Sequence, residues 1–264
     1  MNWNQKTCLI TGASSGFGLR TARLVASKGA TVVAVARSES KLRSLIEELG
    51  GPPHSYIVCD VSRLEDVRAM ARRAGEQVKY LDLLINNAGI ATSGPMTEAT
   101  SEEMAAVIRT NLLGPIWCLR ELLPLLEKAP RTNRTPAVVN VASIAGRIAA
   151  PGMPDYTASK FGLVGFTEAS WAELKAKGVR IMMVNPGPAQ TPGFPMRDVL
   201  ANGLASWTVM DDRRVSAAIV RGIEAGSFEV RVQWWMHLLY HVAIALGPIR
   251  KHLADRSRRL AGRP

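Results

Sequence analysis

The chain has 264 residues, of which 47% are apolar, and it carries a formal net charge of +11. Length and apolar content are enough to bury one sizeable core, which sets aside a disordered chain and predicts a single domain. The basic surplus could meet nucleic acid, an anionic membrane surface or an acidic cofactor, but the basic residues are mostly dispersed and no zinc-finger or RNA-binding signature occurs, so no nucleic-acid partner is expected.

The opening MNWNQKTCLITG enters a strand-like run at once, with no basic segment leading into a long apolar stretch. A secretory signal is therefore not expected, and a cytoplasmic location is. Cys8, Cys59 and Cys118 show no C-x-x-C spacing and read as buried thiols of a reducing compartment. Short β-branched apolar runs follow at residues 7–11, 31–36, 56–59, 82–86, 137–142, 179–184 and 228–232, with helical patterns between them. TVVAVA and AVVNVA are continuously apolar, as strands covered on both faces are. Strand and helix alternating around such strands predict an α/β fold: one Rossmann-like, doubly wound parallel sheet of about seven strands with helices on both faces.

The first strand runs into TGASSGFG, residues 11–18, and then into a helical pattern. A strand that ends in glycines and turns into a helix points backbone N–H groups and a helix's positive end at one spot, which suits phosphate. Gly12 allows the tight turn, Gly16 and Gly18 keep side chains out of the way, and Ser14 and Ser15 lie within the loop. The second strand ends at Arg37. A dinucleotide fold meets the adenosine ribose there; an acid would accept the 2′-hydroxyl of NAD, whereas arginine forks onto a 2′-phosphate and points to NADP(H). Asp60, followed by Val61, closes the third strand as a helix N-cap or as a contact to the adenine amino group. Asn86-Asn87-Ala88-Gly89 ends the fourth strand, where the ligand crevice of an open parallel sheet lies.

A long helical pattern over residues 101–127 carries Asn111 among apolar positions, where its amide needs partners or a functional water. Ser143 emerges at the carboxyl edge of the fifth strand. Tyr156 and Lys160 sit four apart on one helix face, and a phenol of reference pKa near ~10 becomes a useful acid or base when a cation stabilises its phenolate.

Together TGASSGFG, Asp60-Val61, NNAG at 86–89, Asn111, Ser143, YTASK at 156–160 and PGPAQT at 186–191 resemble the short-chain dehydrogenase/reductase family. The resemblance implies an oxidoreductase passing a hydride between NADP(H) and a carbonyl or secondary alcohol. In it Tyr156 is the general acid/base, Lys160 lowers its pKa and bonds the nicotinamide ribose, Ser143 holds the substrate oxygen, and Asn111 anchors a proton-relay water. Pro186, Gly187 and Thr191 hold the nicotinamide carboxamide, while Asn87 lines the adenosine side. Assembly as a homo-oligomer, a dimer or tetramer, is expected as well. The rival reading is an NADPH-binding sensor or scaffold without turnover, which has no need of an acid/base group.

Residues 192–212 form an apolar segment with Phe194, Trp207 and methionines, suited to a lid over an apolar, lipid-like substrate or to core packing. Residues 233–264 hold an apolar helical run, WWMHLLYHVAIAL, and then six Lys/Arg against one acid. The run is shorter than the ~20 residues that a bilayer crossing needs. It is expected to roof the pocket, meet a partner subunit or lie peripherally on an anionic membrane. His237 and His241 lack a third ligand, so no metal site is expected.

Overall fold

The computed structural model describes residues 3–92, 96–129, 136–150, 152–189 and 209–233, and residues 235 and 238 besides. Seven strands are present: β1 (Thr7–Thr11), β2 (Thr31–Ala36), β3 (Ser55–Val58), β4 (Leu83–Asn86), β5 (Ala137–Val141), β6 (Arg180–Asn185) and β7 (Glu229–Arg231). Each falls on a predicted run. Asp82 stands just before β4, its carboxylate bonded to Lys6 and the Thr7 amide. The helices are α1 (Gly16–Ser27), α2 (Glu39–Glu48), α3 (Leu64–Gln77), α4 (Ser101–Ile108), α5 (Gly114–Glu127), α6 (Pro154–Ala169), α7 (Trp171–Ala176) and α8 (Asp212–Ala225).

The strands form one sheet in the order β3-β2-β1-β4-β5-β6-β7, parallel throughout. Alternate residues of each strand face opposite layers. Cys8 and Ile10 of β1 pack with Ala22 and Val25 of α1 and Val215, Ile219 and Ile223 of α8. Leu9 between them joins Val67 and Met70 of α3 and Leu122 and Leu126 of α5 on the other face. Both faces are thus buried, which is why these strands read as unbroken apolar runs. β1 has β2 on one side and β4 on the other, so the chain reverses its winding there, and a crevice opens above the carboxyl ends of β1 and β4.

The long helix predicted over 101–127 is broken. Residues Arg109–Leu113 make a π turn between α4 and α5, with Asn111 fully buried at its centre. Pro115 has no N–H to offer the Asn111 carbonyl four residues earlier, so the α-helical bond there cannot form. The Asn111 carboxamide is also drawn sideways: Oδ1 accepts from the Ile90 amide at 2.9 Å, while Nδ2 donates to the Ile90 carbonyl at 2.8 Å and to Ser159 Oγ at 3.1 Å. Among the described residues, no helix is long and apolar enough to cross a membrane.

Candidate active site

At the end of β1 the chain turns with Gly12 at φ 68° and Gly16 at φ 52°, a left-handed backbone that suits glycine. The loop is braced from β4. The Thr11 hydroxyl accepts from the amides of Asn87 and Ala88 at 3.0 and 3.1 Å, and Asn87 Nδ2 donates to the Thr11 carbonyl at 3.0 Å and the Gly12 carbonyl at 3.4 Å. A Cβ on Gly18 would lie 2.3 Å from the Gly12 oxygen and 2.4 Å from Asn87 Nδ2, so only glycine lets α1 start this close to the loop. Ser15 is the N-cap of α1, yet its side chain makes no capping bond and the first turn holds no acid. The helix therefore keeps N–H groups for an anion.

A cleft of about 640 Å³ spreads from this loop across the sheet edge. It is lined by Gly12, Ser14, Ser15, Gly16 and Phe17, by Arg37 and Ser38 beyond β2, by Asp60 and Val61, and by Asn87, Ala88 and Gly89. Ser143, Tyr156, Lys160, Pro186 and Gly187 line its other end. Asn111 lies beside the cleft rather than on its wall, behind Gly89. Thr191 and residues 192–208 lie outside the described residues, as do His237, His241 and residues 239–264. The predicted lid, apolar helix and basic tail remain expectations from sequence.

Two features differ from expectation. Asp60 caps no helix: its carboxylate accepts from the Ser62 amide at 3.0 Å and hydroxyl at 2.7 Å, and Arg63 occupies the N-cap of α3. Lys41, in α2, lines the cleft as Arg37 does, a second basic residue there that the sequence did not single out. It stands four positions after Arg37, in the first turn of α2.

Ser143 ends its strand in extended backbone and caps a short turn, Ile144–Gly146, accepting from the Ala145 amide at 3.1 Å. It lines the same end of the cleft as the Tyr156 phenol and favours the phenolate. Lys160, one helical turn on, is 4% exposed; its Nζ donates to the Val141 carbonyl at 2.9 Å and lies 5.6 Å from the Tyr156 ring centre. Burial holds the Lys160 ammonium down to about 8, so the group is still mostly charged at pH 7. Burial likewise raises the Tyr156 phenol above its ordinary value, with Ser143 working the other way. In the protein alone desolvation is the largest influence on Tyr156, and the Lys160 ammonium is turned to the Val141 carbonyl. A half-buried phenol that stays protonated at neutral pH, beside a serine and near a buried lysine, can hand over a proton.

Fold and site together define an oxidoreductase of the nucleotide-binding, doubly wound class. The model for the short chain dehydrogenase family matches residues 6–198, and the chain belongs to that family. A 3-oxoacyl-[acyl-carrier-protein] reductase of Thermotoga maritima is 34% identical over 194 residues, 73% of this chain and 77% of that protein. The ketoacyl reductase HetN of Nostoc is 34% identical over 264 residues, 97% of this chain and 89% of that protein. A short chain dehydrogenase/reductase from Burkholderia phymatum, solved in complex with NAD, superposes with a TM-score of 0.80 at 25% identity, covering 93% of this chain and 96% of that one. The cleft described above fits a nicotinamide dinucleotide: the glycine loop lines one end of it, and the N-terminus of α1 begins there without a side-chain cap.

Proposed function

We propose that this chain is an NADP(H)-dependent carbonyl reductase or alcohol dehydrogenase acting on an apolar substrate. The observation that carries the reading is that Ser143, Tyr156 and buried Lys160 line the same cleft as the glycine loop. The nicotinamide, when bound, supplies or takes up the hydride. Tyr156 gives its phenolic proton to the substrate oxygen in reduction and receives it in oxidation. Ser143 accepts from Ala145, so its own proton is left to donate toward the phenol or toward an oxyanion. Lys160 provides a positive charge that favours the phenolate once the proton has left. The Asn111 side chain is spent on Ile90 and Ser159, so a relay water would be held by the Asn111 carbonyl, which Pro115 cannot satisfy.

Arg37 and Lys41 at the adenosine end favour a 2′-phosphate and hence NADP(H) over NAD(H). Ile90, Ile144, Ala145, Ala150, Met153 and Ala189 give the substrate end an apolar wall. Exposed Phe161 and Trp171, 40% and 43% accessible, are consistent with assembly into a homo-oligomer. The test is NADPH absorbance against a panel of ketones, aldehydes and a 3-oxoacyl thioester, the last because two relatives bear oxoacyl or ketoacyl reductase names. Turnover of at least one carbonyl is expected. Tight NADPH binding with no consumption across the panel would replace the enzyme by a nucleotide-binding sensor or scaffold.

A further inference from the structure

Behind the cleft, Arg147 follows the Ser143 turn directly and is its C-cap. One guanidinium nitrogen lies 2.7 Å from Glu168 Oε1 on α6, 3.5 Å from Glu229 Oε1 on β7 and 3.5 Å from the Met183 sulfur on β6. Glu229 in turn accepts from Asn185 Nδ2 at 2.7 Å and pairs with Arg231 at 3.1 Å. The segments gathered here each carry a piece of the site: α6 bears Tyr156 and Lys160, Asn185 leads into Pro186-Gly187, and the turn bears Ser143. Arg147 and Glu229 side chains are 22% and 15% exposed, so solvent screens their pairing less than that of a surface ion pair. Sequence reading passed over Arg147 because nothing local marks it; its partners are 21 and 82 positions away.

The backbone of the turn is registered as well. The Ile144 amide donates to the Pro186 carbonyl at 2.8 Å. Gly146 lies so close to α6 that a Cβ there would stand 2.7 Å from the Lys160 carbonyl oxygen. The height of the turn over α6 decides whether the Ser143 proton meets the Tyr156 oxygen, and a misplacement of about 1 Å can cost ~10²-fold in rate.

We propose that Arg147 is a positioning residue that sets the Ser143 turn against the Tyr156 helix by clamping it to Glu168 and Glu229. This rests on the reading of Ser143 and Tyr156 as the reacting pair. The test compares Arg147→Met and Arg147→Lys with the parent full-length protein. Arg147→Met lowers kcat roughly 10- to 100-fold while KM and NADPH affinity stay within about threefold, and Arg147→Lys recovers part of the loss. Adding Arg147→Met to Ser143→Ala costs less than about twofold more, because both remove the same contact. A readout free of turnover is the Tyr156 titration, taken as tyrosinate absorbance against the Tyr156→Phe partner of each variant. Arg147→Met raises its midpoint by about half a unit or more as the influence of Ser143 is lost.

Arg147→Met with kcat within twofold of the parent, additive costs with Ser143→Ala, or an unmoved Tyr156 midpoint each overturns the proposal. Should Arg147→Met not fold, Glu168→Gln relaxes the same clamp from its exposed side. It is expected to lower kcat about threefold or more with the same non-additivity, and an unchanged kcat sinks the idea. If the parent turns over no carbonyl, the proposed function fails, and the tyrosine titration still decides the role of Arg147.

Discussion

Replacing Gly18 by alanine tests whether the glycine loop is as tightly nested as the structure draws it. The new methyl would stand 2.3 Å from the Gly12 oxygen and 2.4 Å from Asn87 Nδ2, where ordinary van der Waals contact begins near 3.4 Å. Something must therefore retreat by about 1 Å. α1 is held through its packing on α8, and the Gly12 carbonyl belongs to a turn at φ 68°, so Asn87 is the group free to yield. It would then lose its bonds to the Thr11 and Gly12 carbonyls. Overpacking costs about 1–3 kcal/mol, and a lost hydrogen bond adds about 0.5–1.5 kcal/mol. At roughly 2–4 °C per kcal/mol for a domain near this size, the melting temperature should drop by about 3–18 °C. The displaced loop no longer presents its amides together, so NADPH affinity should weaken at least tenfold. Thermal melting by circular dichroism reads the first effect and a fluorescence titration of NADPH reads the second. A melting temperature within 1 °C of the parent together with an NADPH Kd within twofold would refute this account of Gly18.

Tyr156→Phe keeps the ring and removes the transferable proton, so kcat should fall by roughly 10²–10⁴ while NADPH affinity changes only a few-fold; more than a tenth of parental activity would remove Tyr156 from its role. Replacing Arg37 and Lys41 together by alanine should lower the NADPH-over-NADH ratio of kcat/KM by one to two orders of magnitude, given ~1.5–3 kcal/mol for a charged hydrogen bond reduced by solvent exposure. An unchanged ratio would mean that other residues read the 2′ position. Lys160 should titrate near 8 in the free protein, so kcat/KM for NADPH should decline as pH rises through 8, and Lys160→Met should abolish that limb. The sign for stability is opposite. The unfolded lysine, near 10.5, binds more protons than the folded one held at about 8, so burial of this charge is unfavourable below pH 8 and is relieved between 8 and 10.5. The parent should therefore gain melting temperature relative to Lys160→Met across that interval, and a loss would contradict the direction assigned to Lys160.

Sequence alone was enough for the sheet, because strands buried on both faces leave a local record: five or six apolar, β-branched residues bounded by turn formers. It was also enough to put Ser143, Tyr156 and Lys160 in one cleft, since a strand's end and a one-turn spacing on a helix are both local relations. The π turn at Asn111 was only half legible: Pro115 marks a lost helical bond locally, but the bonds to Ile90 and Ser159, 21 and 48 positions away, join segments that meet only in the folded chain. For the same reason the polarity of the site was not legible. A lysine four residues from a tyrosine reads as its counter-charge, but the fold buries the lysine, half-buries the tyrosine and turns the ammonium to the Val141 carbonyl, so desolvation is the largest influence on both proton affinities. Arg147 and Lys41 belong with these. Each is an ordinary basic residue along the chain, and each owes its place to α6 and β7, or to β2 and the glycine loop, being brought beside it by tertiary packing.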